Sequence, residues 1–270
     1  MKQRQKLGIL CYFGLLSFLL LSSFQKSSSD IPSKTTVSSL LFADYQNAFP
    51  DLYAWEDNAI EVLSESKKTV YLTFDDGPSK NTEKILDILK QYNIKATFFV
   101  IGKDLSESGI LSMKRAAAEG HVIGLHTYSH DYRQIYSSVS DFLSDYDLLR
   151  QTLEAQLGFS PTLFRFPGGS YCSYGSCIRT ELIEEMTRRG YTYYDWNVSA
   201  EDAVGTVTAA SIRKNIFPKV YEVTSPVILM HDAPLNHLTV ELLPEIIENL
   251  QEKGYCFETL EKREPLHFGE

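Results

Sequence analysis

From Thr69 onward, the chain alternates short apolar runs with longer amphipathic segments. Seven runs rich in β-branched and aromatic residues are typical of strands: "TVYLTF", "ATFFVIG", "HVIGLHT", "TLFRFPG", "YTYYDWN", "PVILMHD" and "YCFETL". Between them, apolar residues recur at helical spacing in "TEKILDILKQYN", "SMKRAAAEG", "SVSDFLSDYDLLRQTLEAQLG", "RTELIEEMTRRG" and "TVELLPEIIENLQEKG". The alternation predicts one α/β domain over residues 67–265, with a parallel sheet closed or nearly closed into a distorted seven-stranded (β/α) barrel.

The N-terminus has a different pattern. The basic segment "MKQRQK" precedes a charge-free, mostly apolar run of 18 residues, Leu7–Phe24. This matches a signal peptide or a short membrane span. Because no A-x-A-like cleavage site follows, we favour an uncleaved anchor over residues 1–24 that places the rest of the chain outside the cytoplasm, with secretion as the alternative. Residues 25–66 are predicted to be a stalk and an N-terminal extension, whose aromatic residues pack on the domain or form a short helix.

Amino-acid composition and net charge limit the kinds of molecule that the protein is expected to bind. With 43% hydrophobic and 23% charged residues the chain is of the globular class, and its net charge of −9 comes without a basic stripe, so we expect no nucleic-acid partner. The oligomeric state is left open, with a monomer as the working expectation. Outside the cytoplasm, Cys172 and Cys177 are free to form a local disulfide, although two reduced thiols fit equally well. Cys256, in an apolar run, is predicted to lie in the core.

Polar residues collect at the ends of the predicted strands. In parallel α/β folds, sites lie beyond the C-terminal ends of the strands. Five strands run into such residues: Asp75 and Asp76, His126 and His130, Arg165, Asp195 and Trp196, and His231 and Asp232. A polar residue at the end of one strand is explained as well by a helix N-cap or by a histidine whose hydrogen bonds are satisfied in the core. Five strands that end in this way predict a functional site.

The spacing of the two histidines in "HTYSH" favours a metal. His126 and His130 are four residues apart, which places two imidazoles on one face of a helical turn. An aspartate from another strand completes a set of three ligands that leaves positions open for water and substrate. Of Asp75 and Asp76, one then binds the metal and the other takes a proton from a water. Adjacent strand residues are expected to point to opposite sides, which does not suit a glycosidase, whose carboxyls flank the scissile bond.

Five motifs in order resemble the polysaccharide deacetylases, carbohydrate esterase family four: "TFDDGP", "HTYSH", "RFPGGS", "DWN" and "LMHD". The resemblance covers about Lys68 to Leu260. It implies that Asp76, His126 and His130 bind the metal. It also implies that Asp75 is the general base and that Arg165 orients and charge-balances Asp75.

The same resemblance implies further roles. His231 would be the general acid, hydrogen-bonded to Asp195. From the residues themselves, we also expect Trp196, which directly follows Asp195, to shield that pair with its ring and to contribute to substrate binding. Leu229 would line the pocket for the acetyl methyl group. The backbone N–H of Gly168 would donate to the oxyanion, although "RFPGGS" has glycines where many members have a second proline and an aromatic residue. An aromatic wall of the groove is thereby lost.

The expected function is a metal-dependent hydrolase that removes N-acetyl groups from N-acetylglucosamine residues of a cell-wall polysaccharide, with peptidoglycan the first choice for an anchored extracytoplasmic domain. The alternatives are an O-acetyl esterase acting on xylan or a similar glycan, and a chitooligosaccharide deacetylase. A sugar-binding module on a degenerate scaffold would have lost a ligand, base or acid, and all are present. One divalent cation is expected, zinc first, with cobalt, nickel and manganese open.

Overall fold

Apolar strands form a parallel half-barrel at the centre of the fold. The computed structural model describes residues 47–54, 68–103 and 105–268. Within these ranges there are eight strands: β1 (Thr69–Gly77), β2 (Thr97–Val100), β3 (Val122–Leu125), β4 (Leu163–Phe164), β5 (Thr192–Tyr193), β6 (Val198–Ser199), β7 (Val227–His231) and β8 (Cys256–Phe257). Their order is β5-β4-β3-β2-β1-β7-β6, with β8 paired to the start of β1. Every predicted run contains a strand, and β6 is an addition to the prediction.

Helices connect the strands and cover the sheet. Those in the described ranges are α1 (Thr82–Gln91), α2 (Glu107–Ala118), α3 (Tyr132–Ile135), α4 (Val139–Leu157), α5 (Arg179–Arg188), α6 (Ala209–Glu222) and α7 (His237–Glu252). Helices α2, α4 and α6 each have a hydroxyl side chain at the N-cap. The side chains of Ser106, Ser138 and Thr208 accept hydrogen bonds from N–H groups of the first turn. Helix α4 ends at Gly158, whose φ of 81° suits glycine.

Alternating side chains of the strands fill two apolar layers. Phe98 belongs to the larger layer, where its ring stacks on Phe74 at 5.2 Å between ring centroids. The next residue, Phe99, points to the other face of the sheet and packs with Tyr71 and Tyr194. Both layers are buried, so the strands that carry the polar residues are fixed from both sides.

Part of the predicted N-terminal extension packs on the domain. Leu52 is fully buried in the larger layer, and the Arg189 guanidinium donates hydrogen bonds to the carbonyls of Phe49 and Leu52. Of the two alternatives predicted for this extension, residues 47–54 therefore fit packing on the domain. The predicted anchor and stalk lie outside the described residues. Among the helices that are described, none combines the length and apolarity needed to cross a bilayer.

The C-terminal segment lies beside the edge strand β5 and extends past the predicted domain boundary at residue 265. The Asp195 N–H donates to the Leu266 carbonyl at 2.8 Å, and the rings of Tyr193 and His267 stack at 3.9 Å. These contacts place residues 266–268 against the sheet.

The cysteines do not follow every expectation. Cys172 and Cys177 are free thiols. The prediction that Cys256 lies in the core is wrong, because its strand β8 is short and its side chain is exposed.

Candidate active site

The predicted polar residues meet at one end of the sheet. Strands β1 and β7 pair so that Asp75 lies opposite His231. His126 follows β3 and Arg165 follows β4, and these two strands are also hydrogen-bonded neighbours. The parallel register therefore brings a carboxylate, a guanidinium and two imidazoles to the same level.

A β-bulge turns both adjacent aspartates toward the site. The β1–β2 register shifts between Asp75 and Gly77, and Asp76 has a φ of 68°. As a result Asp75 Oδ2 and Asp76 Oδ1 lie 3.7 and 3.6 Å from the same atom, His126 Nε2. The expectation that these carboxylates point to opposite sides is wrong, because the strand is not regular there. Both still lie on one side of the site, which does not suit a glycosidase.

Asp76, His126 and His130 form a candidate metal set. One donor atom from each lies within 4.8 Å of the other two. Asp76 Oδ1 is 3.2 Å from His130 Nε2, yet this buried oxygen has no hydrogen-bond partner in the described chain. A buried carboxylate oxygen without a hydrogen bond is costly unless something else binds it. Two imidazole nitrogens beside that oxygen fit a divalent cation.

The two histidines reach the set from a loop rather than a helix. Residues 126–130 have no helical hydrogen bonding, and Thr127 and His130 have φ values of 73° and 52°. The predicted helical turn is therefore wrong, although the side chains do converge, with ring centroids 5.2 Å apart. Left-handed backbone at residues other than glycine is uncommon and is often found at functional sites.

His126 is held in the form that a metal ligand needs. Its Nδ1 lies 2.8 Å from the Arg165 carbonyl, which only accepts hydrogen bonds, so Nδ1 carries the proton and Nε2 presents a lone pair. Burial, together with the neighbouring His130, lowers the pKa of His126 to about 3. The ring is therefore neutral across the physiological range.

Asp75 is paired with a buried arginine, as predicted. Arg165 Nη1 donates to Asp75 Oδ1 at 2.9 Å, and Arg165 Nε and Nη2 donate to backbone carbonyls of Tyr194 and Asp195. Burial raises the pKa of Asp75 by more than the charges of Arg165 and His231 lower it. A raised pKa makes this carboxylate a stronger base than an exposed aspartate.

His231 pairs with Asp202, not with Asp195. His231 Nδ1 is 2.7 Å from Asp202 Oδ1, and the His231 backbone N–H donates to Asp202 Oδ2 at 2.9 Å. Burial lowers the pKa of His231, but the hydrogen bond and charge of Asp202 outweigh burial and raise it to about 9. The imidazolium is therefore the favoured form at neutral pH. Asp202 follows the two-residue strand β6, which is too short to show as a hydrophobic run.

Asp195 instead joins the "RFPGGS" loop to the C-terminal segment. Its buried carboxylate accepts hydrogen bonds from Ser170 N at 2.8 Å, Ser170 Oγ at 2.6 Å and Phe268 N at 2.8 Å. The predicted hydrogen bond from Asp195 to His231 is therefore wrong. Asp195 remains close to the site through its carbonyl, which accepts from Arg165.

The three predicted substrate-binding residues lie in different surroundings. Gly168 has a φ of 76°, and its N–H donates to no residue that the structure describes. Leu229 is buried on β7. Trp196 contacts Phe268, with ring centroids 4.9 Å apart, and lines a separate cavity of about 510 Å³. The roles of all three stay predictions.

A cavity of about 520 Å³ opens beside the metal set. It is lined by Asp76 and His130 together with Lys80 and Lys103. Glu83 also lines it, but its charge is paired with Arg115 at 2.6 Å. The cavity thus offers two lysines next to the candidate metal site.

Comparison with known proteins identifies the family of this chain. Residues 63–194 match the family model described as polysaccharide deacetylase. YheN of Bacillus subtilis is 34% identical over 265 residues, which span 94% of this chain and 90% of YheN. A peptidoglycan-N-acetylglucosamine deacetylase of Bacillus cereus is 36% identical over 214 residues, which span 76% of this chain and 72% of that protein. The chain belongs to the polysaccharide deacetylase family.

A solved structure of this family has the same fold. It is the catalytic domain of a peptidoglycan N-acetylglucosamine deacetylase from Eubacterium rectale, which is 34% identical and superposes with a TM-score of 0.71. The match covers 78% of this chain and 96% of that domain.

Proposed function

We propose that this polysaccharide deacetylase is a metal-dependent hydrolase that removes N-acetyl groups from N-acetylglucosamine residues of a cell-wall polysaccharide, with peptidoglycan as the substrate. One observation carries the proposal. A base, Asp75, and an acid, His231, lie opposite each other on adjacent strands, and the Asp76–His126–His130 set is beside them.

The residues divide the chemistry of amide hydrolysis among them. When bound, a divalent cation supplies Lewis-acid polarisation and activation of water. Asp75 accepts the proton of the attacking water, and His231 donates a proton to the departing amine nitrogen. The Gly168 N–H donates a hydrogen bond to the acetyl oxygen as it gains negative charge. Arg165 balances the charge of Asp75 until Asp75 takes up that proton.

The choice of peptidoglycan rests on the relatives and on the cavity. The Bacillus cereus and Eubacterium rectale proteins are named for that substrate. In addition, Lys80 and Lys103 line the cavity and form no ion pair with a described residue. Peptidoglycan carries carboxylates on its peptide groups, whereas chitin and xylan backbones are uncharged. Two lysines beside the site therefore favour peptidoglycan.

Acetate release tests the proposal. The purified protein is incubated with peptidoglycan, chitotetraose and acetylated xylan, each with and without a chelator. We expect acetate from the two N-acetylated substrates, with peptidoglycan preferred, and loss of activity on chelation. Activity on acetylated xylan alone would instead identify an O-acetyl esterase, and full activity after complete metal removal would contradict the metal dependence.

Ligand and base variants should separate metal binding from turnover. His126→Ala or His130→Ala removes one of three protein ligands, so both bound metal and activity should be lost. Asp75→Asn should keep the metal while kcat falls by roughly 10²–10⁴-fold, because its role is proton transfer. Elemental analysis measures the metal and also identifies it, with zinc expected. His237→Ala, at an exposed histidine, is the control. Full metal occupancy in both ligand variants would refute the assignment.

For location, we propose that residues 1–24 tether the protein to the membrane and that the catalytic domain lies outside the cytoplasm. The basic segment, the apolar run and the missing cleavage site support this. Cell fractionation and N-terminal sequencing of the product test it. The full-length chain is expected in the membrane fraction. A shortened form that begins near Lys26 and occurs only in the medium would contradict the tether.

A further inference from the structure

Three tyrosines form a series of edge contacts from the core to the surface. Tyr136 is buried, and its hydroxyl donates to the Pro167 carbonyl at 2.8 Å. Its ring lies 6.1 Å from the ring of Tyr132, which in turn lies 5.6 Å from the ring of Tyr174. Tyr174 is 54% exposed. Tyr132 and Tyr174 together form a surface that we call the tyrosine platform.

The platform is continuous with the candidate metal set. The Tyr132 ring packs edge-on against His130, with 5.2 Å between ring centroids. On its other side it lies beside Gly168, where an added Cβ would be only 3.0 Å from Tyr132 Cε1. The Tyr132 ring therefore occupies the space into which a side chain at position 168 would extend.

We propose that the tyrosine platform is a sugar-binding subsite that takes a pyranose ring of a β-linked N-acetylglucosamine chain. The inference rests on the proposed deacetylase function, which places such a chain at the metal set. Sugar rings present apolar C–H faces that pack on aromatic rings, and tyrosine adds a hydroxyl that bonds to the sugar. The hydroxyls of Tyr132 and Tyr174 make no hydrogen bond with any residue in the described ranges.

Rigidity supports this assignment over an incidental surface tyrosine. A single exposed aromatic residue is ordinary on a protein surface. Here the exposed ring of Tyr174 packs on the half-buried ring of Tyr132, which packs on the buried ring of Tyr136. The Tyr136 hydroxyl is in turn hydrogen-bonded. A preorganised aromatic surface costs little conformational entropy on binding. Its place beside His130 positions the next sugar along the chain from the one that reacts.

Binding to a catalytically silent protein tests the platform directly. In the Asp75→Asn background, the Kd of chitotetraose is measured by isothermal titration calorimetry. Adding Tyr174→Ala should weaken binding about 3- to 10-fold, the range of one lost aromatic contact. Tyr174→Phe should recover most of that loss. Tyr221→Ala, at a 46% exposed tyrosine on α6, is the matched control and should leave the Kd unchanged.

Kinetics in the protein with Asp75 intact provide the second readout. Tyr174→Ala should raise KM for chitotetraose more than KM for 4-nitrophenyl acetate, which has no sugar. If the protein releases acetate but Tyr174→Ala changes neither Kd nor KM for chitotetraose, the platform is refuted and the proposed function stands. If Tyr174→Ala weakens binding while the protein deacetylates no glycan, the platform stands and the proposed function is refuted. Absence of chitotetraose binding in the Asp75→Asn protein would also refute the platform.

Discussion

Two histidines of the site have opposite protonation because they face different partners. Burial disfavours the charged form of both imidazoles. At His126 the second largest influence is the neighbouring His130, which adds to burial, so the ring stays neutral. At His231 the carboxylate of Asp202 reverses the effect of burial. One ring is thus suited to binding a metal and the other to donating a proton.

Asp202→Asn should move the alkaline limb of the pH–rate profile to lower pH. A general acid must be protonated to act, so the rate falls as pH rises through its pKa, about 9 for His231 here. An amide at position 202 no longer favours the imidazolium, and the pKa of His231 falls. The fall in activity with rising pH should then begin nearer neutral pH. The measurement is kcat against pH, with metal content determined in parallel.

Asp195→Asn is the matched control for that experiment. Asp195 accepts its hydrogen bonds from Ser170 and Phe268, so its substitution should leave the alkaline limb in place even if it lowers the rate. A limb that moves in Asp195→Asn but not in Asp202→Asn would reverse the assignment of the two carboxylates.

At the scale of elements, the loop of residues 167–172 is fixed from several sides. The Tyr136 hydroxyl donates to Pro167, the Asp195 carboxylate accepts from Ser170, and Arg179 donates to the Ser170 carbonyl. Two consecutive glycines with positive φ let the loop turn inside this frame. Within this loop the Gly168 N–H donates to none of the residues that the structure describes.

Gly169→Ala should be more destabilising than Gly158→Ala. Both glycines have φ near 80°, so alanine costs about 1–2 kcal/mol of backbone strain at either position. A Cβ at position 158 meets no atom within 4 Å, but one at position 169 would lie 2.6 Å from Phe268 Cε2. We therefore expect an additional loss of about 1–3 kcal/mol at position 169. Denaturant unfolding measures both variants.

Phe268→Ala provides the check on that explanation. Combined with Gly169→Ala, it should recover part of the added loss, because the clashing ring is gone. Equal free energies of unfolding for the two single alanine variants would show that the C-terminal segment does not restrict this loop.

Most regular elements were predictable from the sequence, and local irregularities were not. Hydrophobic periodicity predicted seven strands and five helices, but it missed β6, the short helix α3 and the 14-residue helix α6. The convergence of Asp75, His126 and His231 was predicted from the ends of parallel strands. The bulge at Asp76 and the left-handed backbone at His130 leave no trace in periodicity, because they are set by tertiary contacts. Asp202 was missed because its strand has two residues. A carboxylate shortly after the apolar Val198 was the available signal.

At the scale of the whole molecule, an acidic chain places two lysines at one cavity. The net charge is −9, yet Lys80 and Lys103 line the cavity beside the metal set. Local charge, rather than net charge, determines which polymer approaches a site.

Lys80→Ala and Lys103→Ala should each raise KM for peptidoglycan about two- to fivefold at low salt, the range expected from one exposed charge pair. Both lysines are solvent-exposed, so added salt should shrink the difference. KM for uncharged chitotetraose should not change. Steady-state kinetics at two ionic strengths measure this, with Lys114→Ala, at an exposed lysine of α2, as the control. Equal effects on both substrates would show that the lysines do not recognise acidic groups.

The pairing of β1 also sets when the site comes into existence during folding. Strand β1 is synthesised early, but β7, one of the two strands that flank it, is synthesised late. The two strands are far apart in sequence, since Thr73 Oγ1 on β1 donates to Ile228 O on β7, 155 residues further along the chain. Contacts of such long separation fold slowly, since a large loop must close before they form. Asp75 therefore meets His231 only after nearly the whole domain has been synthesised. A nascent chain that carries the "TFDDGP" segment is consequently inactive until its last strands dock.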